Sequence, residues 1–218
     1  MPSGDITPKG KTFYQHQLNL YQQQIESKGH FVYGLGKGRD IGINVVGKGL
    51  DWSERTPFLF NDKIQNGAVY PVIMGTFQQQ FKLNQQLFIN IGTQGGTNLS
   101  NQESRMHFHH FSYGLLVAQD KKGNKITGGI YHTNRPFVGP GNTTGIMLGY
   151  EYKLSKHWFL MGDWISGTNE SGVAVIGGMY QLNKRIQLCA GWQIPNPGTP
   201  KRQALVLEIN LLGWDFLH

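Results

Sequence analysis

The residues with the clearest chemical potential are a histidine and a serine near the middle of the chain. His110 and Ser112 stand two positions apart, so in a β-strand their side chains point to the same face. On a shared face, an imidazole can act as the base that activates a serine hydroxyl for attack on an ester. The pair is therefore kept as an alternative catalytic site.

Two further histidines raise the question of a metal. His107 and His109 are also two positions apart and could hold a metal ion if a third ligand came from a neighbouring strand. Sequence spacing identifies no such ligand. Cys189 is the single cysteine, which excludes an internal disulfide and any multi-cysteine metal site. We predict no metal and no cofactor.

The charge of the chain is basic but dispersed. Twenty Lys and Arg residues against 13 Asp and Glu give a formal net charge of +7. The basic residues stand in short turns and form no stripe of the kind that binds nucleic acid, so we exclude a nucleic-acid partner and favour attraction to an anionic membrane surface. No apolar run approaches the roughly 18 residues of a spanning helix.

The dominant pattern is an alternation with period two, which is typical of β-strands. Residues 204–211 show it well, with Leu205, Leu207, Ile209 and Leu211 on one face and Glu208 and Asn210 on the other. The second face of most such stretches carries Gly, Asn, Gln and Ser. That composition favours a membrane barrel with a polar lumen and a lipid-facing apolar side over a soluble β-sandwich or barrel.

The alternation predicts an all-β chain, a single antiparallel up-and-down transmembrane barrel of about twelve strands. The predicted strands cover about 13–25, 30–36, 40–50, 68–81, 86–94, 105–118, 125–134, 144–153, 157–166, 172–181, 185–194 and 203–212. Short periplasmic turns alternate with longer extracellular loops, and the first hairpin fits this scheme if it turns near Ser27-Lys28-Gly29. Residues 1–218 form one domain, and residues 1–11 are predicted to be a flexible periplasmic segment.

The segment Tyr33-Gly34-Leu35-Gly36-Lys37-Gly38-Arg39-Asp40-Ile41-Gly42-Ile43-Asn44 is a strand–turn–strand unit. Through it the chain loosely resembles bacterial outer-membrane β-barrel proteins of phenol-degradation-type or transporter-like families. The resemblance implies a Gram-negative outer membrane, a signal peptide already removed, and contact with the lipid bilayer and lipopolysaccharide. It is also compatible with a homo-oligomer. The C-terminus departs from the family pattern, because Leu217 and His218 follow the aromatic Trp214 and Phe216.

The resulting functional prediction is a narrow, passive, porin-like channel or transporter for small polar or aromatic solutes, and not an enzyme. Loops Thr93–Ser104 and Arg135–Thr143 are expected to restrict its outer mouth. The predicted pore-lining residues are Lys48, Asn90, Glu151, Asp163, Gln187, Glu208 and Asn210. A structural or partner-binding barrel with a plugged lumen is one alternative.

The other alternative is an outer-membrane lipid hydrolase that uses His110 and Ser112. In such enzymes an Asn follows the serine, whereas Tyr113 follows it here. The alternation also predicts that Phe111 and Tyr113 face lipid. His110 and Ser112 would then face the lumen, away from a lipid substrate.

Overall fold

The computed structural model describes residues 2, 4–52, 58, 60–99 and 106–216, apart from the side chain of Lys48. Twelve antiparallel strands form a closed barrel in which each strand pairs with its neighbours in sequence and β1 pairs with β12. The strands are β1 Thr12–Leu20, β2 Gln24–Gly36, β3 Arg39–Asp51, β4 Val72–Lys82, β5 Leu87–Asn98, β6 Phe108–Gln119, β7 Lys125–Thr133, β8 Thr144–Lys153, β9 Trp158–Ile165, β10 Val173–Asn183, β11 Ile186–Pro195 and β12 Ala204–Leu212. The predicted fold class is confirmed.

The first hairpin differs from the prediction. Its turn lies at residues 21–23, and the predicted turn at Ser27-Lys28-Gly29 lies inside β2, which is 13 residues long. The pairing of β2 with β3 shifts register between Ser27 and Gly29. A β-bulge of this kind lets a Ser-Lys-Gly segment stay within a strand, although its composition is typical of a turn.

The connections are asymmetric. Those at residues 37–38, 83–86, 120–124, 154–157 and 184–185 lie at one end of the barrel, here called the short-turn end. The longer connections at 52–71, 99–107, 134–143, 166–172 and 196–203 lie at the other, the long-loop end, which also holds the 21–23 turn. The 134–143 loop contains a one-turn helix, α1, at Arg135–Val138.

The outer surface is apolar. Ile126 and Ile130 are each 68% exposed, and further large hydrophobic side chains of the same kind surround the barrel. Soluble monomers rarely expose a continuous apolar surface, whereas lipid solvates one. Among the described residues, no helix has the length and apolar character needed to cross a membrane.

Candidate functional site in the barrel lumen

The predicted pore-lining residues with described side chains occupy inward-facing positions. They are Asn90, Glu151, Asp163, Gln187, Glu208 and Asn210. The side chain of Lys48 lies outside the described part of the chain. Whether these residues line a conducting path stays a prediction.

An amide and carboxylate network joins β10, β11 and β12 inside the barrel. The Asn210 amide donates to Glu208 Oε1 at 2.9 Å and to Gln187 Oε1 at 3.4 Å. Gln187 in turn donates to Gln181 Oε1 at 3.0 Å. The network brings three of the predicted residues together on one wall, and its amides offer hydrogen bonds without strong charge.

A second cluster lies on the β7–β8 wall near the short-turn end. Lys125 Nζ lies 2.5 Å from Glu151 Oε1 on the neighbouring strand and 2.8 Å from Asp5 Oδ2. Lys125 is only 6% exposed, so a carboxylate partner is needed to compensate for the loss of water around the ammonium group. Glu151 is the more buried of its two partners (21% exposed) and Asp5 the more accessible (69% exposed). A cavity of about 60 Å³ adjoins the cluster and reaches Asp163.

The Asp5 contact shows that the N-terminal segment enters the barrel. The carbonyl oxygens of Gly4 and Asp5 accept hydrogen bonds from the side-chain amides of Gln80 (3.1 Å) and Gln78 (3.0 Å) on β4. We predicted a flexible periplasmic segment at 1–11, and its location is corrected here: residues 4–8 lie inside the short-turn end. The physical reason is that inward-facing amides and charges supply partners for its polar backbone groups.

A glycine makes room for this segment. The Thr7 N–H donates to Asp40 Oδ2 at 3.0 Å, while the backbone of Thr7 and Pro8 passes directly over Gly34. A Cβ atom at Gly34 would stand 2.1 Å from the Pro8 carbonyl oxygen, closer than any side chain can approach. Gly34, which the sequence placed in a strand–turn–strand unit, therefore also has a packing role.

Part of the lumen wall is apolar, which the sequence did not lead us to expect. The inward side chains of β6 to β9 form a cluster of Phe111, Tyr113, Leu115, Val117, Tyr131, Met147 and Ile165. The assignment of Phe111 and Tyr113 to lipid is therefore wrong. The rule that the apolar face points outward fails on β6 because both of its faces carry large apolar residues.

The correct register of β6 was available from its hairpin partner. On β7, Ile126 and Ile130 alternate with Lys125 and Thr127, so the isoleucines define the lipid face. They pair across the hairpin with Ala118 and Gly114. Even-numbered residues of β6 must therefore face outward.

His110 and Ser112 lie on that outward face, which corrects their predicted lumenal position. Ser112 Oγ is within 2.8 Å of Thr93 Oγ1, and His110 Nε2 is within 2.9 Å of His132 Nδ1. Each member of the proposed pair thus has a different partner, so no serine–histidine hydrogen bond is assembled for catalysis.

His107 and His109, the pair considered for a metal site, do not meet a third ligand among the described residues. His109 faces inward, is fully buried, and packs edge-on against Phe137 of α1. Within the described residues, neither of its ring nitrogens has a hydrogen-bond partner, and no group of three or more His, Cys, Asp or Glu could hold a metal ion.

At the long-loop end, several loops contact one another. The Glu170 carboxylate accepts the Ala68 N–H at 2.7 Å, and the Glu170 N–H donates to the Val138 carbonyl at 3.0 Å. The Val69 N–H donates to the Pro136 carbonyl at 2.8 Å. Residues 68–69, α1 and the 166–172 loop are therefore connected to one another and are here called the loop cover; that the 135–143 loop restricts the outer mouth stays a prediction. Of the other loop expected to do so, residues 93–98 belong to β5 and residues 100–104 lie outside the described part of the chain.

Beneath this cover lies a cavity of about 90 Å³. On its wall, Lys201 Nζ donates to Glu26 Oε1 at 2.7 Å. Burial of Lys201 opposes its charged form, but Glu26, Tyr21 and Glu170 together outweigh this effect and hold the pKa of Lys201 above its ordinary value. Sequence reasoning missed both residues, because they are 175 positions apart.

The closed barrel is similar in structure to the COG4313 outer membrane channel from Pseudomonas putida F1, with a TM-score of 0.55 and 10% sequence identity over 97% of this chain and 98% of that one. The toluene transporter TbuX from Ralstonia pickettii aligns with a TM-score of 0.49 and 8% identity over 96% of this chain and 90% of that one. No protein-family model and no curated protein matches the sequence. The likeness to the first structure confirms the predicted resemblance to outer-membrane channel barrels at the level of the fold.

Proposed function

We propose that the chain is an outer-membrane barrel that acts as a narrow passive channel for small polar or aromatic solutes. The observation that carries the proposal is the composition of the inner wall. The amide and carboxylate side chains of β10 to β12 face the same lumen as the aromatic cluster of Phe111, Tyr113 and Tyr131. Such a lumen offers weak hydrogen bonds together with an apolar surface, which suits solutes that must bind and leave easily.

The mechanism is diffusion past two constrictions. Residues 4–8 narrow the short-turn end, and the loop cover narrows the long-loop end. Twelve strands lie between the filled interiors of eight-stranded barrels and the open lumens of much larger ones. The charges at Asp163 and Glu208 should therefore influence every ion that passes.

Planar-bilayer recording tests this function. We expect small conductance steps from the purified chain, with the cation preference reduced in Asp163→Lys and Glu208→Lys. Asp120→Lys is the control, because it makes the same charge change in the exposed 120–124 turn. The channel function would be contradicted if the bilayers showed no conductance, or if the lumenal and control variants changed ion selectivity equally.

A plugged structural barrel is the second candidate, favoured by the N-terminal segment inside the lumen and by the buried Lys125 cluster. It predicts silent bilayers for the complete chain. It also predicts that no solute passes in liposome-swelling measurements.

A further inference from the structure

The fold brings together cations that are dispersed along the sequence. The short-turn end comprises residues 4–11, the short connections with the strand ends beside them, and residues 213–216. Along the rest of the sequence, Lys and Arg are equal in number to Asp and Glu, so this end carries the whole formal net charge of +7. We call the following exposed lysines, which lie within or beside the short connections, the basic rim: Lys37, Lys82, Lys121, Lys122, Lys153 and Lys184.

Three of the carboxylates at this end are engaged elsewhere. Asp5 and Glu151 are bonded to the buried Lys125. Asp40 is itself buried and accepts the N–H of Thr7. Within the described part of the chain, no salt bridge joins any of the three to the basic rim.

The two remaining carboxylates offset little of the charge. Asp120 is directed back into its own turn, where its oxygens accept hydrogen bonds from backbone N–H groups and from the Asn124 side chain. Asp215 pairs with Arg185 at 2.9 Å and lies 3.7 Å from Lys184. For the other lysines of the basic rim, the structure shows no carboxylate partner among the residues it describes. The rim therefore presents exposed ammonium groups that the barrel itself does not neutralise.

The basic rim borders directly on the apolar outer surface. Leu83 follows Lys82 and is exposed, and Leu182 is exposed just before the 184–185 turn. Trp158, at the start of β9, is also exposed, and its ring centroid lies 4.7 Å from that of Tyr180. Aromatic side chains at the edge of a lipid-facing band, with long cationic side chains beyond them, are typical of a membrane interface.

The partner that fits this arrangement is a layer of phosphate groups. The short connections join successive strand pairs of a closed sheet, so the rim extends around the barrel. A lipid leaflet surrounds a barrel on all sides, whereas a folded acidic protein would meet one side of it. Each Lys or Arg close to an anionic lipid surface strengthens the attraction about fivefold.

We propose that the basic rim is a docking surface for the headgroups of anionic phospholipids. Its ammonium groups contact the lipid phosphates, while Trp158, Tyr180 and Leu182 lie at the boundary with the acyl chains. Membrane barrels place their short turns on the periplasmic side, so the leaflet concerned is the phospholipid leaflet and not the one that carries lipopolysaccharide. The inference rests on the membrane barrel and is independent of conduction.

Electron paramagnetic resonance of spin-labelled lipids tests the proposal. The full chain is reconstituted in phosphatidylcholine vesicles, and the association of spin-labelled phosphatidylglycerol with the barrel is compared with that of spin-labelled phosphatidylcholine. We expect a several-fold preference for phosphatidylglycerol at low salt. The preference should nearly vanish in about 1 M salt, where charges are screened over about 3 Å.

Two triple variants locate the preference. Replacing Lys37, Lys82 and Lys121 by Gln removes one charge at each of three short connections and should lower the preference for phosphatidylglycerol at least twofold. Replacing Lys63, Arg135 and Arg202 by Gln removes the same charge from three long connections and should leave the preference unchanged. The electrophoretic shift between folded and unfolded barrel confirms that both variants fold.

Equal association of the two lipids with the wild type, a preference that persists in high salt, or equal losses in the two triple variants would overturn the proposal. The first of these outcomes would leave an acidic protein as the partner of the basic rim. Lipid selectivity is measured without conduction, so a barrel that conducts without preferring phosphatidylglycerol would reject the docking surface and keep the channel. Preference with silent bilayers would do the reverse.

Discussion

Lys125 Nζ on β7 lies 2.8 Å from Asp5 Oδ2, so a residue near the N-terminus is ionically bonded to a strand 120 positions later. Because Glu151 binds the same ammonium group from β8, the N-terminal segment supplies the third and most exposed member of this ionic cluster. The segment that narrows the lumen is thus also part of the interior packing, which links conductance to stability.

Gly34→Ala should raise conductance several-fold. A Cβ at this position would overlap the Pro8 carbonyl oxygen at 2.1 Å, so residues 7–8 would have to leave the wall and widen the short-turn end. Single-channel recording measures the change. Gly114→Ala is the control, because a Cβ there meets no atom within 4 Å; a similar increase in both variants would contradict the model of a docked segment.

Lys125→Gln should lower the free energy of unfolding by about 3 kcal/mol, because it leaves the largely buried Glu151 carboxylate without its cation. Asp5 adds little to the loss, because its side chain is 69% exposed. Urea unfolding in detergent or lipid, followed by the electrophoretic shift between folded and unfolded barrel, measures the loss. Lys156→Gln, in an exposed turn, should change stability by less than about 0.5 kcal/mol. Equal stability of the two variants would show that the cluster is not formed.

Ile130→Arg should destabilise the barrel in lipid by about 2–4 kcal/mol, whereas Ile126→Arg, one residue from the short-turn end of β7, should cost about 0–1 kcal/mol. Both isoleucines are 68% exposed, so in water the two substitutions would be equivalent. Unfolding measured in lipid vesicles shows whether the two isoleucines face lipid or water. Equal costs, or a monomeric chain that stays soluble without detergent, would reject the membrane barrel.

The ion pair between Lys201 and Glu26 predicts that the free energy of unfolding depends on pH under alkaline conditions. The folded-state pKa of Lys201 is raised, so its contribution is complete below about pH 10.4, the ordinary lysine pKa, and is lost as pH rises through the higher folded value. The difference in unfolding free energy between wild type and Lys201→Gln should be constant from pH 7 to 9. It should shrink above about pH 10.4, and a difference that falls already near pH 8 would exclude this pairing.

The strands were predictable where one face is uniformly apolar. Leu205 to Leu211 on β12 alternate with Glu208 and Asn210, and lipid on one side of the wall enforces that pattern. On β6 the pattern was ambiguous, because Phe111 and Tyr113 pack in an apolar part of the lumen. Alternation divides the residues of a strand between two faces. When both faces are apolar, it does not show which of them points to lipid.

The contacts inside the lumen could not be predicted for a different reason. Asp5 and Lys125, like Glu26 and Lys201, meet because the barrel closes and the segments outside its strands fold inward. Neither event leaves a local pattern in the sequence. The inward positions of Glu151 and Asn210 followed from strand periodicity, whereas their partners depended on the closed structure.

The outward position of His110 and Ser112 gives the hydrolase alternative a direct test. Their location on the lipid face removes the objection that a lipid could not reach them. The hydrogen bonds nevertheless direct Ser112 to Thr93 and His110 to His132, and a serine without a base at hydrogen-bonding distance is a poor nucleophile.

We therefore expect no fatty-acid release when the purified chain in mixed micelles is incubated with phospholipid or lipid A. A fluorophosphonate probe should leave the mass of the intact protein unchanged, because it labels activated serines. Ser112→Ala and His110→Asn should match the wild type in both measurements. Hydrolysis or labelling that disappears in both variants would establish a catalytic pair, and would require His110 to leave His132 for Ser112 when lipid binds.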